Sequence, residues 1–123
     1  MATRAGVRVP RPHKYHAVAT TVRGIRFASK REAVRYQELL LLEKAGVIRN
    51  LEVQPVFHLN ASHPSQPKFV GKYVADFFYE EGGGLSGPPH RQVIEDVKGF
   101  KTPLYRWKKK HVEAQYGVVI RET

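Results

Sequence analysis

The sequence predicts an α/β domain: a mixed β-sheet flanked by helices, with a β-hairpin on its N-terminal side. Three observations carry this. Two segments, Ser29 to Gly46 and Thr102 to Gly117, bear helix start and stop signals. Between them lie three strand-like segments separated by Gly-, Pro- and Ser-rich connections. After the second helix comes VVIRE, a short strand that the helix can deliver to a parallel partner. The 123 residues suffice for one core and are too few for two.

Residues 1–14, MATRAGVRVPRPHK, hold Arg4, Arg8, Arg11 and Lys14, two prolines and no acid. That composition is a poorly ordered basic arm, equally suited to a phosphate backbone or to solvent, ahead of a single domain over 15–123. Val18 to Val22 and Ile25 to Phe27 flank Arg23-Gly24 and form a hairpin. Ser29 caps the first helix, and Glu32 completes a capping-box pattern. Ala33, Tyr36, Leu40 and Leu41 follow at helical spacing, with Gly46 as the stop. VIRNLEVQPVFHL is a strand whose Pro55 marks an edge, an end or a bulge. KYVADFFYE alternates as a strand, with Val74, Asp76 and Phe78 expected on one face, and QVIEDVK is the next strand. The three middle strands should form an antiparallel meander. Thr102 and Pro103 open the second helix.

The charge is lopsided: 21 Lys+Arg against 11 Asp+Glu give a formal net charge of +10. Such a balance favours a polyanionic partner, most commonly nucleic acid. Without cysteine there are no disulfides, thiolate metal sites or cysteine nucleophiles. No apolar run approaches the ~18 residues of a membrane span, and no apolar signal core opens the chain, so an intracellular, cytoplasmic protein is expected.

Against that background VIEDVKGF stands out, because charges on a core strand need a partner or a metal. Asp96 and Lys98 share a strand face, with Val97 on the other. If Asp76 lies on a neighbouring strand, the two carboxylates can share a divalent cation, magnesium or manganese by ligand chemistry. Lys98 beside them supplies positive charge near an attacking water, and Glu32 can add a further carboxylate. Plainer readings exist for each. Asp96 and Lys98 suit an exposed pair, and Glu32 suits a capping residue. Glu95 reads as a solvated neighbour, and His111, amid Lys108, Lys109 and Lys110, as facing phosphate or solvent. No histidine has metal-site spacing, and EGGGLSG lacks the lysine of a phosphate-cradling loop.

Taken together, Glu32 of SKREA, Asp76 of YVADF and Asp96-Val97-Lys98 of IEDVKG resemble the PD-(D/E)XK nuclease superfamily. The longer strings FASKREAVRYQELLLLEKAG, LEVQP, YVADFFYE and EDVKGFKTPLYRWKKKHVEAQYG look like a family of small phage-encoded members. Ala75 replaces the name-giving proline, and Asp96 the more frequent glutamate. The resemblance implies a restriction-endonuclease-like core and a Mg²⁺-dependent DNA endonuclease, with Mn²⁺ substituting. Small stand-alone members are similar to Holliday-junction resolvases, homodimers acting on branched DNA, which for a phage protein means the host cytoplasm.

By the same resemblance, Asp76, Asp96 and the Val97 carbonyl would hold the metal, with Lys98 orienting water or stabilising transition-state charge. Glu32 would serve a second metal or its water, and Gln54 of LEVQP would support the site or be a plain sheet residue. DNA would meet two basic stretches. Residues 1–35 carry nine Lys+Arg, Lys14, Arg26 and Lys30 among them, against Glu32 alone. Between Val97 and Val112 there are six, including Lys101, Arg106, Lys108 and Lys109, and no acid. Tyr105 and Trp107 alternate with basic residues and can stack on DNA, though Trp107 better suits the core of the final helix. Two alternatives remain at this stage: a non-catalytic nucleic-acid-binding module of this fold, and a nicking or restriction-type nuclease.

Overall fold

The computed structural model describes residues 18–83 and 90–123. The basic arm with Lys14, and most of the glycine-rich connection before His90, lie outside the described residues.

Strands β1 (Thr20–Val22) and β2 (Ile25–Phe27) form the expected hairpin. Arg23 and Gly24 take positive φ angles of 53° and 80°, the turn conformation that matches strand twist. Helix α1 (Lys30–Lys44) follows, with the Ser29 Oγ accepting the Glu32 N–H at 3.1 Å. Glu32 Oε1 reciprocates by accepting the Ala28 N–H, one residue before the cap, at 3.1 Å. The helix buries Ala33, Tyr36 and Leu39. Leu41, expected inward, is exposed; at 100° per residue it lies about 140° from the centre of that stripe, which Leu39 completes instead.

The expected meander is present, but bent. Each of its first two strands breaks once, giving β3 (Ile48–Val53) and β4 (Val56–Ala61), then β5 (Lys68–Val74) and β6 (Phe77–Glu81). Pro55, which has no N–H, and Gln54, at φ 56°, form one break. Ala75 and Asp76 form the other, directly opposite: the Gln54 N–H donates to the Asp76 carbonyl at 2.8 Å, and the Ala75 N–H to Pro55 at 3.1 Å. The bend spoils the expected alternation, so Val74, Asp76 and Phe78 do not share one continuous strand face.

Beyond the bend come β7 (Arg91–Asp96), α2 (Pro103–Tyr116) and β8 (Ile120–Glu122). The main sheet runs β3-β6-β7-β8, antiparallel at its first two joints and parallel between β7 and β8, while β4 and β5 pair separately. Alternation on β7 divides the core. Val93 and Val97 join Phe27, Tyr36, Leu39, Phe77 and Tyr79 beneath α1. Ile94 joins Ile120, Tyr105, Val112, Leu59 and Tyr73 beneath α2. Each large apolar side chain so buried contributes about 1.5–3 kcal/mol. The result is a mixed α/β fold with one helix on each side of the sheet. Among the described residues, no helix is long and apolar enough to cross a membrane.

Candidate active site

Antiparallel pairing of β6 with β7 sets Phe77 opposite Glu95, so the residue before β6 meets the end of β7. Asp76 and Asp96 therefore share one end of the sheet. The Asp76 N–H donates to the Glu95 carbonyl at 3.2 Å, and Asp76 Oδ2 accepts the Val97 N–H at 2.7 Å. Parallel strand β8 closes the other side, with the Thr123 N–H on the Asp96 carbonyl at 2.9 Å and the Lys98 N–H on the Thr123 carbonyl at 3.1 Å.

Asp96 is wholly buried, and neither of its carboxylate oxygens receives a hydrogen bond. Lys98 Nζ stands 3.7 Å from Asp96 Oδ1, close enough for charge attraction and too far for a hydrogen bond. Burial raises the Asp96 pKa from 3.8 to about 6, with Lys98 opposing the rise. Burial likewise raises Asp76 to about 6, and repulsion from Glu32 adds to it. Glu32 is raised by its own burial, while the Ala28 N–H and the nearby Lys98 charge pull the other way. These couplings place Glu32, Asp76, Asp96 and Lys98 in one electrostatic neighbourhood. From the first turn of α1, Arg31 Nη1 reaches the Lys98 carbonyl at 3.5 Å.

A buried carboxylate whose oxygens accept no hydrogen bond is expensive even with an ammonium nearby, and a bound cation relieves the cost. Among the described residues, no three His, Cys, Asp or Glu side chains form a metal-binding group. Asp76 and Asp96 instead offer a sparse set of carboxylate oxygens at one end of the sheet. Magnesium suits such a set, since it keeps several waters and takes one or two carboxylates plus substrate phosphate. The residues present fit the ion.

Glu95 corrects the expectation of a solvated residue: it is wholly buried. Arg35 donates to it through Nε at 2.6 Å and Nη2 at 3.1 Å, Tyr79 through its hydroxyl at 2.5 Å, and Thr123 at 3.0 Å. Burial works against its charge, and the donors, Arg35 foremost, outweigh it and hold the pKa below the ordinary 4.5. The signal for this was the strand itself, because Glu95 shares a face with Val93 and Val97. Glu95 and Asp96 are thus adjacent, equally buried and opposite in kind. One is saturated with donors; the other has none.

The basic stretches are partly redistributed. Lys101 Nζ and Lys109 Nζ meet Glu122 at 3.0 and 3.4 Å, which sets both beside the carboxylate end of the sheet. Lys110 lies with Trp107, His111 and Asn60 around a separate depression. Arg26, Lys30 and Arg106 are exposed and Lys108 is half-buried. Tyr105 and Trp107 reverse their expected burial. Tyr105 is buried and donates its hydroxyl to Glu122 at 2.7 Å, so it is not a platform for bases. Trp107 is 55% exposed, turned about 200° around the helix from Tyr105. His111 is also corrected: its Nε2 lies 2.9 Å from the Asn60 carbonyl, tying α2 to β4. Gln54 is not a plain sheet residue, since its Nε2 donates to the Arg26 carbonyl at 2.9 Å. Its backbone N–H donates to the Asp76 carbonyl across the bend.

No curated protein and no solved structure matches the chain. A match does extend over residues 12–122, nearly the whole length, and the chain belongs to the family described as protein of unknown function (DUF1064).

Proposed function

We propose that this protein is a metal-dependent DNA endonuclease of the PD-(D/E)XK type, acting on branched DNA as a Holliday-junction resolvase. The observation that carries the reading is the buried Asp96 carboxylate, left without hydrogen-bond donors between Asp76 and Lys98. The order of α1, bent meander, α2 and parallel β8 supports the same superfamily. Asp76, Asp96 and the Val97 carbonyl would hold Mg²⁺. When bound, the ion would polarise a phosphoryl oxygen and acidify its water.

The chain's own residues supply the rest. The Val97 N–H fixes Asp76 so that one of its oxygens stays committed and the other is available. Lys98 balances the charge of the carboxylates before substrate arrives and stabilises the developing charge on the phosphate. Glu32 adds a further carboxylate, its pKa raised by burial and its Oε1 accepting the Ala28 N–H. Lys101 and Lys109 position the phosphate backbone without reading sequence.

Incubation with four-way junction, fork and linear duplex, in Mg²⁺ or chelator, tests the reading. Cleavage in Mg²⁺ alone, strongest on the junction, is the expected result. Binding of all three without cleavage in Mg²⁺ would leave a non-catalytic nucleic-acid module. Resolving a junction needs two opposed nicks, which a two-fold dimer supplies, and the β1–β2 hairpin is the candidate contact. A strict monomer by sedimentation, with and without junction, that still nicks branched DNA would reduce the reading to a nicking nuclease.

The redistribution of the basic stripe makes a separate expectation. Replacing Lys101 and Lys109 together with Ala should flatten the dependence of log affinity on log salt by about 1.8, roughly 0.9 per lost phosphate contact. Lys110→Ala, on another part of the helix, should change it less. Equal slopes for wild type and the double variant would remove these two lysines from the DNA interface.

A further inference from the structure

Lys98 ends beyond β7 on a long, flexible stem, yet its ammonium is held in a defined place. Its Nζ lies 4.4 Å from the centroid of the Tyr105 ring as well as 3.7 Å from Asp96. An ammonium over an aromatic face is attracted by the ring's quadrupole, more strongly where water is thin. Lys98 is only 26% exposed. Tyr105 is itself fixed at both ends. Its N–H is capped by Thr102 Oγ1 at 3.0 Å, and its ring packs among Tyr73, Ile94 and Ile120. Its hydroxyl donates to Glu122 Oε2 at 2.7 Å. Glu122, opposite Asp96 in the β7–β8 register, is pinned in turn by Lys101 and Lys109.

We propose that Tyr105 and Glu122 are positioning residues for Lys98: the ring, anchored through its hydroxyl, holds the ammonium against Asp96 at the phosphate side of the site. This rests on the nuclease reading above for its catalytic consequence, though the placement of Lys98 does not. Glu122 acts through Tyr105 and touches no reacting atom. Without the ring, Lys98 can swing into solvent, and the charge it contributes to the transition state is lost while DNA binding is retained.

The experiment uses the full chain with ¹³C-labelled lysine and reads placement and turnover separately. In wild type, one lysine side chain should show methylene protons shifted upfield by a ring current, assigned by its loss in Lys98→Arg. Tyr105→Leu should abolish that shift and lower kcat on the order of tenfold to a hundredfold with KM within about twofold. Tyr105→Phe keeps the ring but loses the anchor to Glu122, so the shift should weaken without vanishing, with a smaller loss of kcat than in Tyr105→Leu. Glu122→Gln, which still accepts from the tyrosine hydroxyl, should retain the ring-current shift. Should Tyr105→Leu fail to fold, Glu122→Ala gives the same test through loss of the anchor, with a weakened shift and reduced kcat. Absence of any ring-shifted lysine in wild type would overturn the positioning inference, whatever the activity. So would a retained shift in a folded Tyr105→Leu protein. Wild type with the shifted lysine but no cleavage in Mg²⁺ would overturn the nuclease reading and leave the placement of Lys98 standing.

Discussion

Asp96→Asn is expected to abolish Mg²⁺-dependent cleavage, by on the order of 10³-fold, or about 4 kcal/mol of transition-state stabilisation. It should do so while making the metal-free protein more stable. The carboxylate is buried without a hydrogen bond, and its pKa is raised from 3.8 to about 6. An acid whose folded pKa is raised contributes stability that is present below its unfolded pKa and lost as pH rises through the folded one. The loss therefore falls between pH 3.8 and about 6 and is complete at neutral pH. A rise of that size corresponds to about 3 kcal/mol, so removing the charge should recover roughly 2 kcal/mol at pH 7 after relaxation. Asp76 has the same sign and the same window. The metal-free wild type should thus melt higher near pH 5 than at pH 7, and saturating Mg²⁺ should erase the difference, adding about 2.7 kcal/mol at a hundredfold excess over Kd. DNA affinity should be unchanged or tighter, because a repulsive carboxylate has gone. Thermal scans with and without Mg²⁺ check this independently of cleavage. An Asp96→Asn protein that Mg²⁺ stabilises as much as wild type would remove Asp96 from the metal site.

Arg35→Ala should have the largest effect on stability. It strips Glu95 of its charged partner while the carboxylate remains wholly buried, a change that costs about 3–5 kcal/mol in comparable ion pairs. Because the Arg35 side chain is 24% exposed and Tyr79 and Thr123 still donate, the low end, near 3 kcal/mol, is expected. Glu95→Gln in the Arg35→Ala background should recover much of it, since no charge is then left buried. The pH signature is opposite to that of Asp96. A carboxylate held below its ordinary 4.5 contributes stability that is present above that value and lost as pH falls through the folded pKa. Urea melts of the two single variants and the double variant at pH 7 measure the coupling. If Arg35→Ala cost no more than an exposed salt bridge, under about 1 kcal/mol, Glu95 would have to find water on losing its partner.

Much of this was legible along the chain. Local chemistry set the Arg23-Gly24 turn, the Ser29 and Thr102 caps and the Gly46 and Gly117 stops, because turns and caps depend on residues within four positions of one another. The parallel placement of β8 followed from the helix that precedes it. The pairing of Asp96 with Lys98 followed from strand alternation alone. Local pattern could not decide what lay across each face. Leu41 and Leu39 are equally apolar, and only the position of the sheet beneath α1 selects Leu39. Tyr105 and Trp107 both suit a core, and the packing of α2 over Ile94 and Ile120 takes Tyr105 and leaves Trp107 outside. Glu95 and Asp96 are neighbours with nearly the same chemistry. Strand alternation sends them to opposite faces, one under Arg35 of α1 and the other toward Lys98 and Tyr105. A carboxylate's state depends on the donors that reach it, and these arrive from residues 16, 28 and 60 positions away in one case and are missing in the other. Those donors are set by the tertiary fold and cannot be read from the strand.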